Sequence, residues 1–286
     1  TPYGHVRKMD GERKQSNKFL DSNLLNNMKW CIVSVLVGEK YKKFAEMFCK
    51  SYLASTPADD RPEVIWVVDS KDGLNVDHYD FVSVELLPEE AIKGLDVSRT
   101  FGTGTVRNFD YSLKRFGYQV ALDKGYTNIC FIDADMTIRK WDPGIINKCD
   151  KPGLWAGRGY PSSGFGTKPV SSSADVVFTP KLRALKNELQ YDTDWVKYTM
   201  PFEAVMLITG MDSDTIQKFI DCWKYVSTAT KKLNLPKNKV THEIGLAADM
   251  CELPIHYNKE LLSVIFKHYI MNHDVLLDIH KKEIGD

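Results

Sequence analysis

Apolar positions along this chain fall into short continuous runs separated by stretches with helical spacing. Trp30-Cys31-Ile32-Val33-Ser34-Val35-Leu36-Val37, Val64-Ile65-Trp66-Val67-Val68-Asp69 and Asn128-Ile129-Cys130-Phe131-Ile132 are rich in β-branched and aromatic residues. That is the pattern of strands buried on both faces. Residues 81–86, 154–158 and 204–210 repeat it more briefly, and Val176-Val177-Phe178 is short and extended. Between these runs, 41–53 carries Phe44, Met47, Phe48 and Tyr52 on one helical face, and 215–230 carries Ile216, Phe219, Ile220, Trp223 and Val226. Further helices are predicted over about 108–124, 181–190 and 241–251, with a cap from Asp212-Ser213-Asp214 for the helix 215–230 and Thr241 as cap of the last. Alternating strands and helices predict parallel pairing through right-handed crossovers. The expected fold class is α/β, a Rossmann-like and mostly parallel central sheet flanked by helices.

The 286 residues suffice for one large domain. Residues 1–27 are polar and weakly patterned, and read as a flexible arm or a tag. The region 28–286 reads as a single domain with a nucleotide-binding half (28–150), an acceptor half (151–270) and a tail (271–286). Two stretches rich in Gly, Ser and Thr, 94–107 and 160–173, read as loops able to close over a ligand.

Thirty-eight basic residues balance thirty-eight acidic ones, which argues against a general nucleic-acid-binding module. The six cysteines are scattered with no C-x-x-C pair, so neither a zinc site nor a disulfide framework is expected. No N-x-S/T sequon, transmembrane-length apolar run or signal peptide is evident, and the expectation is a cytoplasmic protein without a membrane span.

The chemistry concentrates where the run 128–132 meets Asp133-Ala134-Asp135. If the strand continues, alternation sets Asp133 and Asp135 on one side with Ala134 opposite. Two adjacent carboxylates at a strand's carboxyl end call for a cation between them, and ligands bind at that end of open α/β sheets. The competing reading is a turn residue or helix cap. Oxygen ligands suit Mn²⁺ or Mg²⁺.

In this order the elements resemble the GT-A glycosyltransferases. The likeness is nearest to the retaining families that include the blood-group A/B and α1,3-galactosyltransferases and the glycogenin-type enzymes. Glu39-Lys40-Tyr41 looks like their Lys-Tyr turn, Tyr111-Ser112-Leu113-Lys114-Arg115 like their basic helix, and Phe131-Ile132-Asp133-Ala134-Asp135-Met136 like their Asp-x-Asp motif. Thr241-His242-Glu243 with the later Leu253-Pro254-Ile255-His256-Tyr257-Asn258 looks like their acidic helix and the segment after it.

The resemblance implies a GT-A fold with an acceptor-side subregion and transfer of a sugar from a nucleotide diphosphate, a UDP-sugar, to a hydroxyl. It implies Val37, Tyr41, Lys114, Arg115, Asp133, Ala134 and Asp135 at the donor, and Asp133, Asp135 and His268 at the metal. Glu243 would be the catalytic carboxylate, with Glu203 in reserve. That carboxylate serves as general base in an inverting enzyme and as a stabiliser of the oxocarbenium-like sugar in a retaining one. Phe202, Trp155, Tyr160 and Trp195 offer an aromatic platform for the acceptor, which is a glycan, another hydroxyl or a modified nucleic-acid base. Departures are Phe202-Glu203-Ala204 in place of a small or Asn-rich turn, and the absence of the glycogenin-type C-terminal His-x-x-Gly-x-x-Lys signature. A haloacid-dehalogenase-type phosphatase with Asp133 as nucleophile and a sugar-phosphate nucleotidyltransferase are the alternatives.

Overall fold

The computed structural model describes residues 29–93, 111–157, 159–161, 184–185, 187–191, 199–201, 204–233 and 240–268. Seven of its strands build one sheet: β1 (Trp30–Leu36), β2 (Glu63–Val68), β3 (Val82–Leu86), β4 (Asn128–Ile132), β6 (Gly153–Ala156), β9 (Val205–Thr209) and β10 (Ile255–Tyr257). Their order is β10-β6-β9-β4-β1-β2-β3. Pairs β1–β2, β1–β4, β2–β3 and β6–β10 are parallel, and β9 runs antiparallel between β4 and β6. The sheet is thus mixed and mostly parallel, as the strand–helix alternation predicts, but the run at 204–210 enters it reversed. A strand buried on both faces carries the same apolar signature in either direction, so periodicity does not encode that reversal.

Helices cover both faces. On one side α3 (Lys114–Asp123), α5 (Ser213–Lys232) and α6 (Val240–Met250) enclose Val33, Phe131, Tyr118, Phe219, Trp223 and Ile244. On the other, α1 (Glu39–Ser55) and the short α4 (Pro143–Ile146) enclose Ile32, Phe48, Tyr52, Trp66, Cys130 and Leu207. The short α2 (Glu89–Ile92) follows β3. Asp212 caps α5 as expected, accepting the Thr215 amide at 2.7 Å. Helix α6 begins at Val240, which puts Thr241 inside its first turn instead of at the cap.

Two ribbons complete the described structure: β5 (Met136–Ile138) with β11 (Phe266–His268), and β7 (Gly159–Pro161) with β8 (Thr199–Pro201), both antiparallel. No described helix is long and apolar enough to cross a membrane. The six cysteines are free thiols, Cys31 and Cys130 within buried strands.

Helix α3 packs on the sheet through Gly117, which leaves no room for a side chain. A Cβ there would stand 3.1 Å from the Phe131 ring and 3.3 Å from Val33. Lys114 sits three residues earlier, on the same helical face, so this close approach carries it towards the end of β4. The helix ends at Asp123, and Gly125 (φ 85°) follows its cap, with Gly125 donating to Leu122 at 2.8 Å and Tyr126 to Ala121 at 3.0 Å. This Schellman turn sends the chain directly into β4.

Gly153 opens β6 at φ 143°, where a Cβ would meet the Pro254 carbonyl oxygen at 2.5 Å. Gly153→Ala is therefore expected to lower stability by about 2 kcal/mol in chemical denaturation. Gly73→Ala, with φ 72° but nothing within 4 Å, is expected to cost about half as much.

Candidate functional site

Strand β4 ends at Ile132, and Asp133-Ala134-Asp135-Met136 forms a β-turn closed by the Met136 amide donating to the Asp133 carbonyl at 3.2 Å. This corrects the expectation that strand alternation orients the two aspartates: the turn directs them. Asp133, Ala134 and Asp135 are all half-buried at the carboxyl edge of the sheet's middle strand.

Three separate parts of the chain meet this turn. The Asp133 amide donates to the Ala204 carbonyl at 2.9 Å, at the mouth of the reversed strand β9. Ribbon register sets His268 opposite Met136, the residue after Asp135. From α3, the Lys114 ammonium donates to Asp133 Oδ1. The Lys114 side chain is only 10% exposed and that of Asp133 19%, so the two charges are largely withdrawn from water and held by each other.

Phe131 floors the site. Lys114 Nζ lies 5.9 Å from its ring centroid, and Tyr118, one turn further along α3, stacks on it at 5.5 Å. Burial, with the nearby Cys130 and Asp133 adding to it, pushes the Tyr118 phenol far above its ordinary range and keeps it neutral. Of the basic pair, then, Lys114 is the residue at Asp133. Arg115 donates to the Ser112 carbonyl at 2.7 Å and its Oγ at 2.9 Å, and lies over Phe116, fixing the turn that opens α3.

A second lysine–aspartate pair stands at the ends of β1 and β2, along the same edge. Asp69 accepts the Gly38 and Ser70 amides, each at 3.0 Å. Lys42 lies 3.4 Å from Asp69 and donates to Ser70 Oγ at 3.1 Å and the Asp72 carbonyl at 2.9 Å, its side chain 3% exposed. Gly38, at φ 86°, makes the turn into α1. Within it Val37 is buried in the core, and Tyr41 is half-buried with its ring 6.4 Å from that of Phe44. Neither Lys42 nor Asp69 is among the residues that the sequence pattern marks as a site. The signal was present, since Val67-Val68-Asp69 ends an apolar strand in an aspartate just as Phe131-Ile132-Asp133 does.

Glu243, in the first turn of α6, accepts from Ser227 Oγ at 2.8 Å, Thr230 Oγ1 at 2.7 Å and Trp223 Nε1 at 3.4 Å. All three donors lie on α5, so this carboxylate joins the two helices whatever else it does. Asp249, on the same helix, takes the Tyr191 hydroxyl at 3.3 Å. Trp155 is buried, donates to the Lys151 carbonyl and packs on His256, which places it in the core and not on an exposed platform. Glu203, Phe202, Trp195 and the loop 94–107 lie outside the described residues, as do the side chains of His268 and Tyr160.

Among the described residues no three His, Cys, Asp or Glu side chains form a metal-binding group. The donor chemistry of the turn, two half-buried carboxylates two residues apart, nevertheless suits a hard divalent cation such as Mn²⁺ or Mg²⁺. The chain matches no protein-family model and no curated protein.

Lys114→Met should cost about 3 kcal/mol by removing the ammonium from the largely buried Asp133 carboxylate. Adding Asp133→Asn should recover about half of that, a coupling that a double-mutant cycle in urea measures directly.

Proposed function

We propose that this chain is a glycosyltransferase of the GT-A type, moving a sugar from a nucleoside-diphosphate donor, a UDP-sugar, to an acceptor hydroxyl. The observation that carries the reading is the convergence on one turn: Asp133 and Asp135 at the end of the middle strand, the Lys114 ammonium against Asp133, and the backbone of His268 in register beside them. A crevice at the carboxyl end of a parallel sheet is where α/β folds bind nucleotides.

In this reading Asp133 and Asp135 would hold Mn²⁺ or Mg²⁺, with His268 as a third ligand, and the ion would supply positive charge against a diphosphate. Lys114 holds Asp133 in one orientation and places a second positive charge at the donor side, where preorganised charge lowers the barrier without rearrangement. The turn from Val37 to Tyr41, fixed by the Gly38 amide on Asp69, receives the base. Glu243 is the carboxylate that serves the reacting sugar or acceptor, with Glu203 in reserve.

A second reading has one observation in its favour. A lysine held against Asp133 also suits an aspartate nucleophile, so a phosphatase of the haloacid-dehalogenase type is the alternative. Hydrolysis of an aryl phosphate that is lost in Asp133→Asn, with no effect of any nucleotide sugar, would replace the first reading with this one.

A thermal-shift screen of UDP-, GDP- and CMP-sugars with and without Mn²⁺ tests the proposal. One donor, expected to be a UDP-sugar, should raise Tm by about 5 °C at a hundredfold excess over its Kd, only with metal present. Asp135→Asn should abolish that shift. Glu243→Gln should keep the shift while lowering sugar transfer at least about a hundredfold.

A further inference from the structure

Lys42 follows Tyr41 directly in the first turn of α1, and the proposed transfer leaves it without a role. Its ammonium is enclosed by oxygens of the segment that follows β2. It lies 3.4 Å from Asp69 Oδ1 and donates to Ser70 Oγ at 3.1 Å and to the Asp72 carbonyl at 2.9 Å. An ammonium has three N–H groups, and three oxygens face this one. With side chains 3% and 10% exposed, Lys42 and Asp69 have exchanged most of their water for each other and for the groups around them. Ser70 closes the segment on itself, its hydroxyl accepting the Asp72 amide at 3.1 Å and donating to Asp72 Oδ2 at 3.3 Å.

Asp69 carries this order across to the neighbouring strand. Its Oδ2 accepts the Gly38 amide and its Oδ1 the Ser70 amide, each at 3.0 Å, while its own amide donates to the Leu36 carbonyl at 3.4 Å. Gly38 stands at φ 86°, and its carbonyl accepts the Tyr41 amide at 3.1 Å. Glycine in that region has little conformational restraint of its own, so the carboxylate on its amide sets the path of the turn. Lys42 in turn sets the carboxylate.

We propose that Lys42 is a positioning residue for the nucleoside end of the donor: it holds Asp69 against the Gly38 amide and so fixes the turn from Val37 to Tyr41 in the form that receives the base. This role rests on the reading of the chain as a nucleotide-sugar transferase. Lys42 is covered and touches no ligand itself; it acts through Asp69 and Gly38. Both Asp69 oxygens are engaged inside the protein, which leaves the turn's backbone and the Tyr41 ring to meet the base. The Lys114–Asp133 pair stands at the diphosphate end along the same edge of the sheet. Two separate lysine–aspartate pairs thus set the two ends of one donor, and a change at Lys42 is felt at the base and not at the phosphates.

Isothermal titration of the intact chain with UDP and, separately, with pyrophosphate, both with Mg²⁺, tests this. Lys42→Met should weaken UDP binding about tenfold and change pyrophosphate binding less than about twofold. Lys42→Arg, which keeps the charge, should recover part of that loss. Ser70→Ala removes one of the three oxygens and should weaken UDP about threefold. With ¹⁵N-glycine labelling, the Gly38 amide resonance should move upfield in Lys42→Met as its hydrogen bond to Asp69 loosens. Equal loss of UDP and pyrophosphate in Lys42→Met, or a Gly38 resonance that stays in place, overturns the proposal. Should Lys42→Met fail to fold, Ser70→Ala decides by the same comparison of UDP with pyrophosphate. A wild-type chain that binds no UDP removes the UDP-sugar reading and this role with it, whereas wild-type binding that Lys42→Met leaves unchanged overturns the role of Lys42 alone.

Discussion

The ion pair between Lys114 and Asp133 is the constraint around which the middle of this molecule is arranged. Two charges at 10% and 19% exposure have lost most of their hydration, and their mutual attraction does little more than offset that loss. What the pair supplies is position. An ammonium on α3 must meet a carboxylate at the tip of β4, so the helix cannot slide along the sheet without breaking that contact. The surrounding sequence conforms to this: Gly117 removes the side chain that would hold α3 away, and Phe131 offers its ring to the ammonium. Tyr118 stacks on the same ring, so apolar packing and the polar contact set one and the same helix position.

The reversed strand β9 matters for a related reason. In a wholly parallel sheet the carboxyl edge receives only the ends of strands and the starts of helices. With β9 running the other way, its beginning arrives at that edge, and the Ala204 carbonyl takes the Asp133 amide. The chain returns once more from β10, through a π-type turn at Leu261–Ile265, to lay β11 along β5. Gly157 lets that return pass close, since a Cβ there would stand 2.5 Å from Leu262. Segments from four distant parts of the sequence therefore meet within a few residues of Asp133 and Asp135, held by backbone hydrogen bonds and the Lys114–Asp133 ion pair.

Much of this is legible in the sequence because burial on both faces writes itself as continuous apolar runs, and β1, β2, β4 and β9 lie where those runs are. What escaped has physical reasons. Strand direction leaves no mark in a fully buried run. The strands β5, β10 and β11 have three residues each, too few for any period to show. Asp133 and Asp135 were found as residues, but their orientation comes from a turn that the strand pattern overran by three positions. Asp69 ends an apolar strand as Asp133 does, but a single carboxylate there carries no pairing signal, and Lys42 stands 27 residues before it with nothing local to link them. The partners of Glu243 fall at 223, 227 and 230, one face of another helix, and nothing local links them to it until α5 and α6 pack.

That packing bears on what Glu243 does within the proposed reaction. Three donors on α5 meet this one carboxylate, so its place is set by how the two helices pack and not by any neighbour in sequence. Within the proposed reaction, a charge aimed at the sugar or the acceptor acts without rearrangement only if it already stands in position, and these contacts supply that. The placement of Glu243 therefore depends on the α5–α6 pair and not on the turn at Asp133, whether the proposed transfer retains or inverts.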